Sequence, residues 1–363
     1  MSKYKLYWPS IGLIIAVVAL VIGMFHQYNN EKTEKVETYT FIVPQKPGSG
    51  TSMWAQIVAE ELERFLDAKI IIKHIPGARD IPGFNEFHNK LRYDDTMIMV
   101  SHGGNGVSFL QENVDYNYAD YDSVGLMNLN IIVGKLKDAN LDNPSFAAGS
   151  GMVPEAMAIA MLICGPAVTN YVDCFKNNVI WVPGMSGSER RLAFKRGELT
   201  VTRENPAAYK KHVESNDDAE IWFHHGILNV KTTMRDDDPN YPGYMFEDLY
   251  KEKWGVRPQG GFYDAYELVK SFRDGLQKAL WVNKGNPNLE ILRDALWRMS
   301  MDPDAMKAIH AKVGKYEWLI GEIGNNHRNN LMGFITEKAL KMLVDFNQRA
   351  LGLDSIYKEE LIQ

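Results

Sequence analysis

Hydroxyl and backbone amide donors, more than acids and bases, are the groups in this sequence whose spacing suggests chemistry. They are densest in Pro47-Gly-Ser-Gly-Thr-Ser52, where Ser49, Thr51 and Ser52 stand among glycines. A hydroxyl donates to an oxyanion without bringing a competing charge. Amides of a glycine-rich turn that opens a helix do the same, at about 0.3–1 kcal/mol per helix terminus. Similar donors recur downstream: Ala78 and Arg79 in Ile75-Pro-Gly-Ala-Arg-Asp-Ile-Pro-Gly83, and His102 in Ser101-His-Gly-Gly-Asn-Gly106. Ser150 follows Phe146-Ala-Ala-Gly149, and Ser186 follows Val182-Pro-Gly-Met185. Arg79 could grip a carboxylate bidentately, at roughly 1.5–3 kcal/mol, or it could pair with Asp80. His102 could make binding pH-sensitive, or bond only within its own loop. Ser49, Thr51, Ser52, Ala78, Arg79, His102, Ser150 and Ser186 are therefore the candidate ligand-binding residues, and the chemistry they suit is the grip of a small anion.

Other reactive-looking groups carry less. His224-His225 has no third ligand at useful spacing, and adjacent strand residues face opposite ways, so no metal site is expected. Asp236-Asp-Asp238 lacks the alternating oxygen pattern of a calcium loop. Gly184-Met-Ser-Gly-Ser188 is not a nucleophile elbow, and no phosphate-binding P-loop, dinucleotide fingerprint or zinc motif is present. The sequence implies no cofactor and no catalytic residue. Trp54 and Trp181 are the tryptophans expected to line a cleft.

The donors need strands to carry them. Thr38–Val43, Lys69–His74 and Thr96–Val100 are rich in β-branched and aromatic residues, and each runs into a glycine-containing loop. In a parallel sheet with right-handed crossovers those loops lie side by side at the carboxyl edge, where α/β proteins bind ligands. Met53–Leu66 has helical periodicity, and a short helix is expected over Phe84–Leu91. Tyr116–Tyr121 reads as a surface turn. Ser123–Lys135 reads as one apolar strand crossing to a second domain. The strand–glycine–helix grammar then repeats with Phe146–Gly151 and a helix over Pro154–Ile163, followed by a strand Val179–Gly184 and a basic helix Ser186–Lys195. Short strands are expected at Glu198–Arg203 and Ala219–Phe223, and a loop at Thr232–Tyr244. Helices follow at Asp264–Phe272, Leu289–Met299, Pro303–Val313 and one long last helix, Asn330–Leu351, with a strand at Lys278–Asn283. The expected fold is α/β, two lobes with a ligand cleft between them: residues 31–130 and 261–363 in the first lobe, 131–260 in the second.

Length and composition, 45% hydrophobic, suit two such domains. A net charge of −6 gives no reason to expect nucleic acid. Residues 1–30 differ: Lys3 and Lys5 precede the uncharged run Leu6–Phe25. This is either a cleaved signal peptide or an uncleaved transmembrane anchor. In both cases the folded body lies outside the cytoplasm. Cys164 and Cys174 are then either a disulfide or two buried thiols.

Taken together and in order, the motifs resemble a known family, the Bug solute receptors of tripartite tricarboxylate transporters. Pro47-Gly-Ser-Gly-Thr-Ser52 is similar to that family's Pro-Gly-Gly-Gly-Thr-Asp, with Ser52 in place of the aspartate. Pro76-Gly-Ala-Arg-Asp-Ile-Pro-Gly83 is similar to Pro-Gly-Ala-Gly-Gly-x-x-Gly, with Arg79 and Asp80 in place of two glycines. Gly149-Ser-Gly-Met152, Val182-Pro-Gly-Met-Ser-Gly187 with Gly197-Glu-Leu-Thr200, Asp238-Pro-Asn-Tyr-Pro-Gly-Tyr244 and Lys284-Gly-Asn-Pro287 resemble further family segments. The resemblance implies a type II periplasmic-binding-protein fold, a small carboxylate held between the lobes, no catalysis, and delivery to a two-subunit membrane permease. Two alternatives stay open: a receptor-like membrane-tethered scaffold that no longer serves transport, and an enzyme.

Overall fold

The computed structural model describes residues 37–103, 108–149, 153–229, 231–232 and 234–357. The expected leader and Ser150 lie outside the described residues. Among the described residues no helix is long and apolar enough to cross a membrane.

Among the described residues thirteen strands form the framework: β1 Glu37–Val43, β2 Ala68–His74, β3 Met97–Val100, β4 Tyr121–Met127, β5 Ile132–Leu136, β6 Ser145–Ala148, β7 Ile180–Pro183, β8 Val201–Glu204, β9 Ala219–His224, β10 Ile227–Leu228, β11 Arg235–Asp236, β12 Lys278–Asn283 and β13 Trp318–Ile320. The first sheet has the order β13-β4-β12-β3-β1-β2, and the second β7-β6-β8-β5-β9. In the first, β1 pairs in parallel with both β2 and β3. In the second, β6 pairs in parallel with both β7 and β8. Each sheet therefore has three parallel strands whose carboxyl ends point the same way. The rest of each sheet is antiparallel: β12 runs between β3 and β4, and β5 between β8 and β9.

The expected strand Ser123–Lys135 does cross between lobes, but as two strands. β4 ends at Met127 in the first sheet and β5 begins at Ile132 in the second. Asn128 and Asn130 break the apolar run, because their side chains bond to the backbone just after β9. Asn128 Nδ2 donates to Leu228 O (2.6 Å), and Asn130 Oδ1 accepts from His225 N (3.1 Å). Residues 128–131, which connect the two sheets, are termed the hinge.

The helices cover the sheets. Gly50–Leu62 buries Trp54, Ala55, Val58, Ala59 and Leu62 against the first sheet. Pro154–Cys164 is apolar on nearly every side and nearly all of it is buried. Cys164 and Cys174 are joined by a disulfide, which closes the turn from this helix into a further helix, Tyr171–Asn178. Gly261–Gly275 packs against Pro154–Cys164 of the second lobe and also against Glu322–Leu331 and Glu337–Arg349. It straddles the lobes, and one apolar core runs through both of them on this side.

Several expectations are corrected. The last helix is two, Glu322–Leu331 and Glu337–Arg349. Thr336, extended at φ −123°, caps the second by accepting from Ala339 N. The Tyr116–Tyr121 segment folds inward, with Tyr116 and Tyr121 buried in an aromatic cluster with Phe84 and Trp281. Trp54 is buried core, its indole N–H on Met127 Sδ (3.4 Å), and Trp181 donates to Leu351 O (2.9 Å); neither lines the cleft.

Candidate ligand-binding cleft

The carboxyl ends of all six parallel strands meet at one cleft of about 780 Å³. From the first lobe come Gln45–Thr51 after β1, Pro76–Ala78 and Asp80 after β2, and His102 after β3. Gly149, Met185–Ser188 and Arg203–Asn205 come from the second lobe, and Arg273 and Gln277 from the straddling helix and its end. The sheets position these loops because parallel strands leave their connections on a shared edge.

Of the residues expected from sequence, Ser49, Thr51, Ala78, His102 and Ser186 line this cleft. Ser49 and Ser186 are both helix N-caps, with hydroxyls that accept from Ser52 N (3.1 Å) and Glu189 N (3.3 Å). Their helices, Gly50–Leu62 and Gly187–Lys195, open onto the cleft from opposite lobes. First-turn amides have no acceptor within their own helix, so two positive helix ends face the same space. Gly50 allows the lobes to meet at its rim: a Cβ there would lie 2.4 Å from Asn205 Nδ2.

Two expected residues are placed elsewhere. Ser52 is fully buried beneath the loop and shares a hydrogen bond with His74 Nε2 (2.9 Å). Arg79 lines a separate cavity of about 570 Å³ beside Gln348 and Asp354, and donates to Gln111. Arg79 and the neighbouring Asp80 both adopt left-handed backbone angles, φ 56° and 63°. Such angles cost a side-chain-bearing residue about 1–2 kcal/mol each. That geometry turns the Arg79 side chain out of the cleft and leaves Asp80 facing it.

Beneath the loops lies a buried ionic layer. Asp80 Oδ2 holds His102 Nδ1 at 2.7 Å. Burial depresses the His102 pKa, although Asp80 works against that. Lys278, at the start of β12, donates to Thr51 Oγ1 (3.0 Å) and Gln277 O (3.2 Å). Burial brings its ammonium down to about 7, with Asp80 opposing and Arg273 reinforcing the shift. Glu155, fully buried in the first turn of the Pro154 helix, receives both Arg273 contacts (2.6 and 2.7 Å). Burial alone would raise the Glu155 pKa, but Arg273 and His225 outweigh it and hold the carboxyl at about 2.

Sequence reasoning missed the cleft's cations: Lys46, Arg190, Arg191, Arg203 and Arg273 line it, against the carboxylates Asp80 and Glu204. One signal was available, since Arg190 and Arg191 sit in the first turns of the helix recognised as basic. The two histidines separate as the strand alternation requires. His224 Nε2 meets Tyr241 O (2.9 Å), and His225 Nδ1 meets Tyr266 Oη (2.7 Å). Among the described residues no group of histidines, cysteines and acids is placed to hold a metal.

No family model matches the sequence, and no curated protein sequence matches it. Solved structures do match in fold. The periplasmic binding protein BugD superposes with a TM-score of 0.56 at 15% identity, over 84% of this chain and 95% of that one. A TctC solute binding protein from Polaromonas gives 0.52 at 13%, over 84% and 100%. MatC from Rhodopseudomonas palustris, solved with bound malate, gives 0.53 at 16%, over 85% and 99%. With its two sheets and the cleft at their carboxyl edges, the chain has the two-lobed α/β fold of the periplasmic solute-binding proteins.

Proposed function

We propose that this protein is an extracytoplasmic receptor that captures a small organic anion, a mono-, di- or tricarboxylate, and hands it to a two-subunit membrane permease of the tripartite tricarboxylate type. It closes around its ligand and performs no chemistry. One observation carries the reading: two helix N-termini and an excess of cationic side chains face one interlobe cleft. Anions are stabilised at such a place by aligned amides and by nearby charge together. The fold supports it, as does the presence of BugD, a TctC protein and malate-bound MatC among the structures of that fold.

The test is a thermal-shift and calorimetric screen of the purified protein against small mono-, di- and tricarboxylates. A ligand at 100-fold over its dissociation constant adds about 2.7 kcal/mol to the stability of the folded state. A shift confined to one chemical group supports the receptor. No shift for any small anion would turn the reading to the scaffold alternative, in which the cleft is a remnant.

A further inference from the structure

The arginines of the second lobe are more than a carboxylate needs. Arg190 is 6% exposed, and its terminal nitrogen donates to Arg203 O (2.8 Å) and to Glu204 Oε1 (3.1 Å). Arg191 donates to the other oxygen of the same carboxylate, Glu204 Oε2 (2.8 Å). Glu204 thereby orients two guanidiniums side by side while using one donor nitrogen from each. Arg203, the next residue toward the amino end of β8, lies 3.7 Å from Glu155. The Nε atoms of Arg190, Arg191 and Arg203 are all buried, with no hydrogen-bond acceptor among the described residues. The guanidiniums of Arg190 and Arg191 stand side by side at the start of the helix, each with a terminal nitrogen 3.9 Å from where a Gly187 Cβ would lie, and Arg203 lines the same cleft wall with Gly187 and Ser188. A planar carboxylate presents two oxygens in one plane and carries a single charge. Three terminal oxygens in a tetrahedron, with a charge near −2, match donors that arrive from a helix end, from that helix's side chains and from a neighbouring strand.

We propose that the second-lobe wall of the cleft is a seat for a dianionic phosphoryl or phosphonyl group carried by a small organic acid, with Arg190, Arg191 and Arg203 as its specificity-determining residues. This rests on the receptor reading above and narrows it. The first-lobe helix end at Gly50 and Thr51 takes the carboxylate of the same molecule, so the ligand spans the cleft with the more highly charged group on the arginines.

The experiment is calorimetry of the purified protein with matched pairs: glycerate and 3-phosphoglycerate, propionate and 3-phosphonopropionate, with succinate and citrate as purely carboxylate ligands of higher charge. The expected result is at least tenfold tighter binding of the phosphorus-containing member of each pair than of succinate or citrate. In Arg191→Gln, which alters the most accessible of the three, that preference falls at least fivefold. Arg191→Lys, which keeps the charge but not the planar fork, lies between. Should Arg191→Gln lower the melting midpoint, the wild-type panel decides alone. Succinate or citrate binding as tightly as the phosphorus ligands would overturn the phosphoryl seat and leave the receptor standing. Failure of every anion to bind would remove the receptor reading itself.

Discussion

At the scale of single residues, the sharpest consequences come from the ionic layer beneath the cleft. Glu155 is a buried carboxylate held by Arg273, and removing one partner of such a pair leaves the other charge buried and unpaired. Glu155→Gln should cost about 3–5 kcal/mol of stability, read as a lower urea midpoint. In the wild type, the depressed pKa of Glu155 supplies stability above about pH 4.5 that is lost as pH falls toward 2. Lys278 gives a slope of the same sign in a higher pH window. Its folded pKa, about 7, lies below its unfolded value of 10.5, so the unfolded chain binds more protons between those limits and stability rises with pH across that window. Below pH 7 the same ammonium adds a positive charge behind Thr51. Anion affinity should therefore increase as pH falls through 7, with proton uptake on binding. Lys278→Met should flatten that profile in calorimetry repeated in buffers of different ionisation enthalpy; an unchanged slope would assign the effect to His102 or to the ligand. Beyond His102, this layer was not legible in the sequence, because Glu155 lies 118 residues before Arg273 and each of Glu155, Arg273 and Lys278 lies within an otherwise ordinary helix or strand. The hydroxyl loops were legible, since Ser49, Thr51 and Ser186 declare themselves by local glycine and cap patterns.

At the scale of elements, periodicity found most of the helices and all but the shortest strands, and it failed where a local signal was weak or divided. Pro303–Val313 stands where expected because Asp302 caps it, accepting from Ala305 N (2.8 Å), and Pro303 fills its first position. Tyr171–Asn178 and Pro206–His212 were missed because each is only two turns long. Ser123–Lys135 reads as one continuous strand in the sequence because two asparagines in an apolar run do not announce a break. The disulfide belongs to this scale. It ties the end of the buried Pro154 helix to the Tyr171 helix, and its closed loop is short. The chain-entropy argument then gives about 2–3 kcal/mol for its loss. Cys164→Ser with Cys174→Ser should lower the unfolding free energy by that amount, while the reducing agent that destabilises the wild type should leave the double variant unaffected.

For the whole molecule the question is how the lobes move. Asp238, fully buried, accepts from Asn130 Nδ2 (3.1 Å) at the hinge and from Tyr316 Oη (2.8 Å), just before β13 of the first sheet. Asn240 bonds to the other oxygen of Asp238 and, through its own side-chain oxygen, to Lys315 N. The Asp238–Asn240 loop after β11 thus latches the first lobe, through Lys315 and Tyr316 before β13, to the hinge. Tyr316→Phe removes one hydrogen bond to a buried carboxylate, at a cost of about 1–3 kcal/mol. If the latch sets the lobe angle, the variant should show a larger radius of gyration in solution scattering without ligand and a normal one at saturation. Its affinity should fall by the fraction of closed molecules lost. Equal radii would make the latch a purely local support. The two-lobed plan was legible because the strand–glycine–helix unit appears twice; the latch was not, since Asp238 lies in a segment that reads only as a loop.

The position of β12 also constrains how the protein can be made. It is inserted between β3 and β4, two strands synthesised long before it, and the whole second lobe is translated in between. A nascent chain that has reached the hinge thus carries a first sheet split down its middle, with two apolar strand edges awaiting a partner. Such edges are where chains associate wrongly. The second lobe, continuous in sequence, can complete its sheet first; the first lobe, ligand loops included, closes only when Lys278–Asn283 arrives. A chain released before Lys278 should be sticky and silent toward anions, and adding the missing C-terminal segment as a separate peptide should rescue both defects together.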